Sequence, residues 1–181
     1  MTPVTIFDKQ FEPFITQDQI TSEILRITTE LQHKYLIGKV PVFIVVTNGA
    51  MRFASDILGH YNGVCEVRCI RLSSYNGGTE SSGTVKTVFG LDDSLKGRDV
   101  VVIEDIIDTG KTIHELREQL TELGVGSIGI CTALFKPDAC EYDDAYPDYW
   151  GFVVDNLFVV GYGMDYKERG RNLNGIWKLK A

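Results

Sequence analysis

Apolar residues recur along this chain with two different periods, and the alternation of the two lays out the fold. Ile20, Ile24, Ile27 and Leu31 stand three or four residues apart, which places them on one face of an α-helix. Thr16 precedes Gln19 by three residues, a capping-box pattern that starts a helix, and Gly38 closes the segment. Phe53, Ala54, Ile57 and Leu58 predict a second helix that stops at Gly59. Ile113, Leu116, Leu120 and Leu123 form the stripe of a third, ended by Gly124. Between the helices lie apolar runs without helical period. Pro41 to Thr47 is continuously apolar, as expected of a strand covered on both faces, and Asp99 to Asp105 is the clearest strand in the chain. Phe11 to Ile15, Val64 to Leu72, Thr84 to Phe89, Ser127 to Phe135 and Gly151 to Tyr162 also read as extended, whereas residues 73–83 carry no apolar period.

Strands alternating with single helices over residues 41–135 imply a parallel sheet with right-handed crossovers. No linker, repeat or low-complexity tract divides the 181 residues. One α/β domain is expected, with a smaller subdomain built from the two chain ends.

Composition excludes more than it assigns. With 44% hydrophobic and 24% charged residues the chain is an ordinary globular sequence. No apolar run approaches the roughly 18 to 20 residues that cross a membrane. The segment Met1 to Asp8 lacks the basic flank and apolar core of a secretory signal, so a cytoplasmic location is expected. A net charge of −7 argues against a nucleic-acid partner but leaves room for a small anion held by local amides and cations. Cys65, Cys69, Cys131 and Cys140 lack the paired spacing of a metal site and are expected to be buried or half-buried free thiols. His33, His60 and His114 are scattered and read as solvated residues.

The chemistry concentrates after the central strand. The apolar run from Val100 ends in Glu104 and Asp105, a turn brings Asp108, and Thr109-Gly110-Lys111-Thr112 opens a helix. Open α/β sheets bind ligands at such strand ends. Gly110 lets backbone approach an anion, Thr109 and Thr112 offer hydroxyls, and the free amides of a helix start suit a phosphate. An N-cap beside a solvated acidic turn would explain Asp108 and Thr109, but not two further acids at the end of an apolar strand. The spacing of a nucleoside-triphosphate loop is absent.

The stretch Glu104-Asp-Ile-Ile-Asp-Thr-Gly110 resembles the phosphoribosyl-pyrophosphate signature of the hypoxanthine-guanine phosphoribosyltransferases, and the resemblance runs from about residue 11 onward. It implies a type I phosphoribosyltransferase fold in one domain over 1–181: a mainly parallel sheet flanked by helices, with a hood from about 1–16 and 136–181 and a mobile lid at about 73–83. It implies transfer of the phosphoribosyl group to N9 of hypoxanthine, and of guanine, with magnesium as cofactor and pyrophosphate as by-product. By resemblance Glu104 and Asp105 hold the ribose hydroxyls, with metal contacts at Glu104, Asp105 and Asp165, and residues Asp108 to Thr112 cradle the 5′-phosphate. Asp108 is the implied acceptor of the purine N7 proton. Lys136 is the implied donor to the 6-oxo oxygen, Phe158 the stacking ring, and Val159 the residue whose backbone reads the purine edge. Asn48, Gly49, Ser74, Tyr75 and Arg171 are assigned to pyrophosphate. Read alone, Lys136 would be a solvated strand-end charge and Phe158 a core ring. Their occurrence with Asp165 and Arg171 favours the site.

One departure stands out. Where the family commonly reads Leu-Lys-Gly, this chain reads Thr47-Asn48-Gly49, so the loop keeps its amides and lacks the lysine charge. A phosphoribosyltransferase-like regulator that senses the same substrate is the competing class, and the acidic balance counts against its nucleic-acid face. Within enzymes, a xanthine- or guanine-preferring relative is the alternative, while adenine would set a donor against Lys136. The resemblance also implies a homodimer or homotetramer.

Overall fold

This computed structural model describes residues 1–35, 38–74, 85–89 and 91–180, with side chains described outside 72–74 and 85–89. Tyr75 and most of the expected lid therefore lie outside the described residues, as does the side chain of Ser74.

The chain begins with β1 (Val4–Ile6) and β2 (Lys9–Ile15), followed by α1 (Gln17–Tyr35). The capping box is formed in full: the Thr16 N–H donates to Gln19 Oε1 at 2.9 Å, and the Gln19 N–H donates to Thr16 Oγ1 at 3.3 Å. Then come β3 (Val42–Thr47), α2 (Met51–His60), β4 (Glu66–Ser74), β5 (Val85–Phe89), β6 (Asp99–Ile107), α3 (Lys111–Glu122) and β7 (Ser127–Phe135). The last elements are β8 (Tyr149–Val153), β9 (Val159–Val160) and β10 (Ile176–Leu179).

The larger sheet has the order β5-β4-β3-β6-β7-β8, parallel throughout except for β5. Its central strands are apolar on both sides because both sides are covered. Phe43, Val45, Val101 and Ile103 pack with α1 and α2, while Ile44, Val46, Val100 and Val102 pack with Ile113, Leu116 and Leu120 of α3. Burying each such side chain contributes about 1.5–3 kcal/mol, which is why a run without alternation forms a strand here. Among the described residues, no helix is long and apolar enough to cross a membrane.

The smaller antiparallel sheet, β1-β2-β10-β9, joins the two chain ends. Its first and last strands were not legible in the sequence, being only three and four residues long. The stretch Gly151 to Tyr162, expected as continuous strand, is divided. Residues 149–153 form the edge of the larger sheet, and only Val159–Val160 enters the smaller one. Residues 149–153, which fall in the range expected for the hood, pair with β7 of the larger sheet.

Three smaller expectations also change. Helix α2 continues through Gly59 to His60, since the Tyr61 N–H still bonds to Ile57 O at 3.0 Å and Ile57 is anchored in the core. Cys69 is exposed rather than buried, because in β4 its neighbour Ile70 takes the inward position. His114 is not simply solvated: its Nδ1 lies 2.9 Å from Asp144, and its ring stacks on Tyr142 with centroids 4.4 Å apart.

The smaller sheet is fastened to α2 beside the β3 loop. The Tyr162 hydroxyl donates to Asp56 Oδ2 at 2.5 Å, and the Arg52 guanidinium lies 5.3 Å from the Tyr162 ring centre. Next to it, Gly163 has φ +105° and packs so closely that a Cβ would overlap the carbonyl of Gly49. Gly163→Ala is expected to lower the Tm by roughly 4–10 °C, the effect of overpacking in a domain of this size. Thermal denaturation of the two proteins measures it, and an unchanged Tm would mean that the two backbones are not in contact.

Candidate active site

Strand β6 delivers the acids. Its apolar part ends at Ile103, and Glu104 follows at only 7% exposure with Asp105 half-buried beside it. The Glu104 Oε2 atom is buried and has no hydrogen-bond partner among the described residues. Burial, reinforced by the neighbouring Asp105, pushes the Glu104 carboxyl well above the usual carboxylate range. Buried polar atoms almost always have partners, so an orphaned carboxylate oxygen at a strand end points to a ligand.

The following turn reverses into α3 through Gly110, whose φ of +83° suits a residue without Cβ. The same glycine is backed by the segment after β7: a Cβ there would stand 2.7 Å from Cys140 Sγ and 2.8 Å from Ala145 Cβ. The Glu141 N–H donates to Thr109 O at 2.9 Å, which pins the loop from behind. Thr109 Oγ1 accepts weakly from the Lys111 N–H at 3.4 Å, while the Lys111 ammonium turns toward Glu115 at 3.8 Å. The loop thus presents amides and hydroxyls and does not aim its lysine at the anion.

Across from this loop, the turn after β3 carries Asn48 and Gly49. Asn48 is exposed, the Thr47–Asn48 peptide is cis, and Gly49 leaves no space for a side chain because a Cβ would overlap the Asp105 carboxylate. The loop assigned to pyrophosphate and the acids assigned to the ribose are therefore in direct contact.

A cleft of about 180 Å³ opens between these segments and the smaller sheet, lined by Asp105, Asp108, Lys136, Phe158, Val159 and Asp165 among others. Lys136 is 5% exposed, and its ammonium donates to Asp108 Oδ2 at 2.8 Å and to Asn156 Oδ1 at 3.4 Å. Phe158 is 43% exposed, whereas Val159 is buried in β9. Arg171 donates to Gly163 O at 2.9 Å and pairs with Asp165 at 2.7 Å and Glu168 at 3.2 Å.

The expected site residues thus fall into one region where they are described, and Tyr75 and the Ser74 side chain are outside that description. Among the described residues no three His, Cys, Asp or Glu side chains form a ready-made metal cage, so Glu104, Asp105 and Asp165 do not converge on one point. The donor set nevertheless fits magnesium. That ion is usually held by one or two carboxylates together with substrate phosphates, and Asp105 and Asp165 face one cleft. Asn156, the Cys140–Ala145 backing and the Tyr162–Asp56 bond were not found from sequence. Each depends on a contact between segments far apart in the chain, and no periodicity or motif marks it.

Parallel sheet, strand-end acids and helix-start phosphate loop define a phosphoribosyltransferase, and the comparisons agree. Residues 16–167 match the phosphoribosyl transferase domain family. The hypoxanthine-guanine phosphoribosyltransferase of Lactococcus lactis is 38% identical over 173 residues, covering 96% of this chain and 93% of that protein. The protein of the same name from Bacillus subtilis is 40% identical over 166 residues, covering 92% and 91%. The crystal structure of a hypoxanthine phosphoribosyltransferase from Staphylococcus aureus superposes with a TM-score of 0.86 at 36% identity, covering 93% of this chain and 91% of that one. The chain belongs to the phosphoribosyltransferase family, in its hypoxanthine-guanine branch.

Glu104→Gln replaces a buried carboxyl whose Oε2 atom has no hydrogen-bond partner among the described residues. The variant is expected to match or exceed the parent in Tm at neutral pH while its KM for phosphoribosyl pyrophosphate rises, the signature of a group kept for ligand rather than for folding. Calorimetry and steady-state kinetics on both proteins test this, and a large fall in Tm would assign Glu104 a structural role.

Proposed function

We propose that this enzyme transfers the 5-phosphoribosyl group from phosphoribosyl pyrophosphate to N9 of hypoxanthine, and of guanine, in purine salvage. The observation that carries the reading is the buried Lys136 ammonium, held 2.8 Å from Asp108 at the mouth of the cleft. A 6-oxopurine entering beside Phe158 offers its carbonyl oxygen to Lys136, which has three donors and need not lose Asn156 to accept it. Asp108, half-exposed on the turn, then lies free to take the N7 proton. As N9 bonds to C1′, the bond from C1′ to the pyrophosphate oxygen breaks and its electron pair leaves with that oxygen. Glu104 and Asp105 orient the ribose hydroxyls, and the amides of residues 109–112 hold the 5′-phosphate. Arg171 and the Asn48-Gly49 amides receive the departing pyrophosphate, with Arg171 giving up Glu168 to do so. Bound through Asp105 and Asp165, magnesium would offset the negative charge that collects on pyrophosphate.

The family resemblance further supports a cytoplasmic enzyme assembled as a homodimer or homotetramer.

Steady-state kinetics with hypoxanthine, guanine, xanthine and adenine test the base reading, and transfer to adenine as fast as to hypoxanthine would overturn it. Asp108→Asn is expected to lower kcat by about 10²-fold or more while phosphoribosyl-pyrophosphate binding persists. Lys136→Met is expected to weaken 6-oxopurine binding by roughly 1.5–3 kcal/mol, with a much smaller effect on phosphoribosyl pyrophosphate. Equal losses for both substrates would make the lysine structural.

A further inference from the structure

Phe158 leaves much of its ring open to the cleft, at 43% exposure, and it is backed by two other rings. Phe11 of β2 lies behind it at 6.0 Å between centroids and is itself fully buried, in a small core with Ile6, Val160 and Trp177. Tyr166 stands nearly perpendicular to Phe158, at 5.7 Å and 87°. Such edge-to-face contacts fix the relative attitude of two rings, because they set the positive rim of one against the negative face of the other.

Tyr166, less buried than Phe11, is held by polar bonds as well. Its N–H donates to Arg169 O at 2.8 Å, and the Arg169 N–H returns to Tyr166 O at 3.1 Å. This closes a two-residue turn in which Lys167 and Glu168 have φ of +51° and +66°. The Tyr166 hydroxyl donates to Asp8 Oδ1 at 2.9 Å. Asp8 lies in the turn between β1 and β2, next to Phe7, whose ring meets Tyr166 edge-on at 6.1 Å. Lys167 and Lys9 place ammonium groups 5.1 and 5.7 Å from the Tyr166 ring centre. None of Asp8, Phe7 or Tyr166 lines the cleft described above.

We propose that Tyr166, fixed by Asp8, is a positioning residue that sets the attitude of the Phe158 ring toward the purine. The N-terminal hairpin thereby takes part in base recognition without touching the base. The inference rests on the stacking role proposed for Phe158. The physical need is plain: Phe158 directly precedes a two-residue strand, and an aromatic ring left open on one side retains rotational freedom about χ2. Ordering the ring before the base arrives removes that entropy from the binding step.

The test uses the full-length protein and four variants: Phe158→Ala, Tyr166→Leu, Tyr166→Phe and the double variant Phe158→Ala/Tyr166→Leu. For each, KM for hypoxanthine, KM for phosphoribosyl pyrophosphate, kcat and Tm are measured. Tyr166→Leu is expected to raise the hypoxanthine KM by about three- to tenfold, the range given by loss of one edge-to-face ring contact. The phosphoribosyl-pyrophosphate KM should stay within about twofold. Tyr166→Phe, which keeps the ring and loses Asp8, should show a smaller rise in the same parameter alone. In the Phe158→Ala background, Tyr166→Leu should add nothing, since the ring it positions is gone. Additive effects in the double variant would overturn the proposal. So would a parallel rise of both KM values, which would mean that Tyr166 acts through its neighbour Asp165. If Phe158→Ala itself leaves the hypoxanthine KM unchanged, the stacking reading fails, and the proposal falls with it for that separate reason.

Discussion

Three segments of the chain meet at one point in this protein, and the meeting leaves no room for a Cβ on two of them. Gly49 lies against the Asp105 carboxylate, and Gly163 lies against the carbonyl of Gly49. The first follows β3, the second is carried by β6, and the third is the turn after β9. Neighbouring parallel strands bring the first two together by their register, in which Val42 to Val45 pair with Val100 to Ile103. The third is drawn in by Tyr162, which reaches Asp56 on the helix that the β3 loop begins. This contact brings the loop after β3 against Asp105 and sets the turn that leads to Asp165 beside both.

How far this arrangement could be seen in the amino-acid sequence depended on the range of the interaction. The capping box of α1 is a local pattern, and both of its hydrogen bonds are present. Strand β6 was legible because burial on both faces requires an unbroken apolar run, and its terminal acids break that run abruptly. The two-residue strand β9 and the terminal β1 and β10 were less visible. Their stability comes from pairing with one another, and no period can develop over so few residues. Gly163 illustrates the limit. Its residue type signals a special backbone, but only the fold reveals that the Gly49 carbonyl is what it avoids.

In the free protein the cations of the site are already engaged. Lys136 is paired with Asp108, and Arg171 with Asp165 and Glu168. An unpaired buried lysine would cost the fold several kcal/mol in desolvation, so the partner that the chemistry requires also keeps the resting state tolerable. Glu104 is the exception. It is buried beside a second carboxylate with an oxygen left unbonded, and its pKa rises accordingly.

The two ion pairs differ in their access to water, and this gives the two ends of the cleft different responses to ionic strength. The Lys136 side chain is 6% exposed, while Glu168, the outer partner of Arg171, is 78% exposed. Dissolved salt weakens attraction between exposed charges far more than between buried ones. The Lys136 end of its pair is shielded even though Asp108 is about half exposed, so mobile ions reach that pair from one side only. The Arg171–Glu168 pair, by contrast, is open to those ions at both ends. The ionic medium around the protein therefore loosens the outer arginine pair more readily than the inner lysine pair.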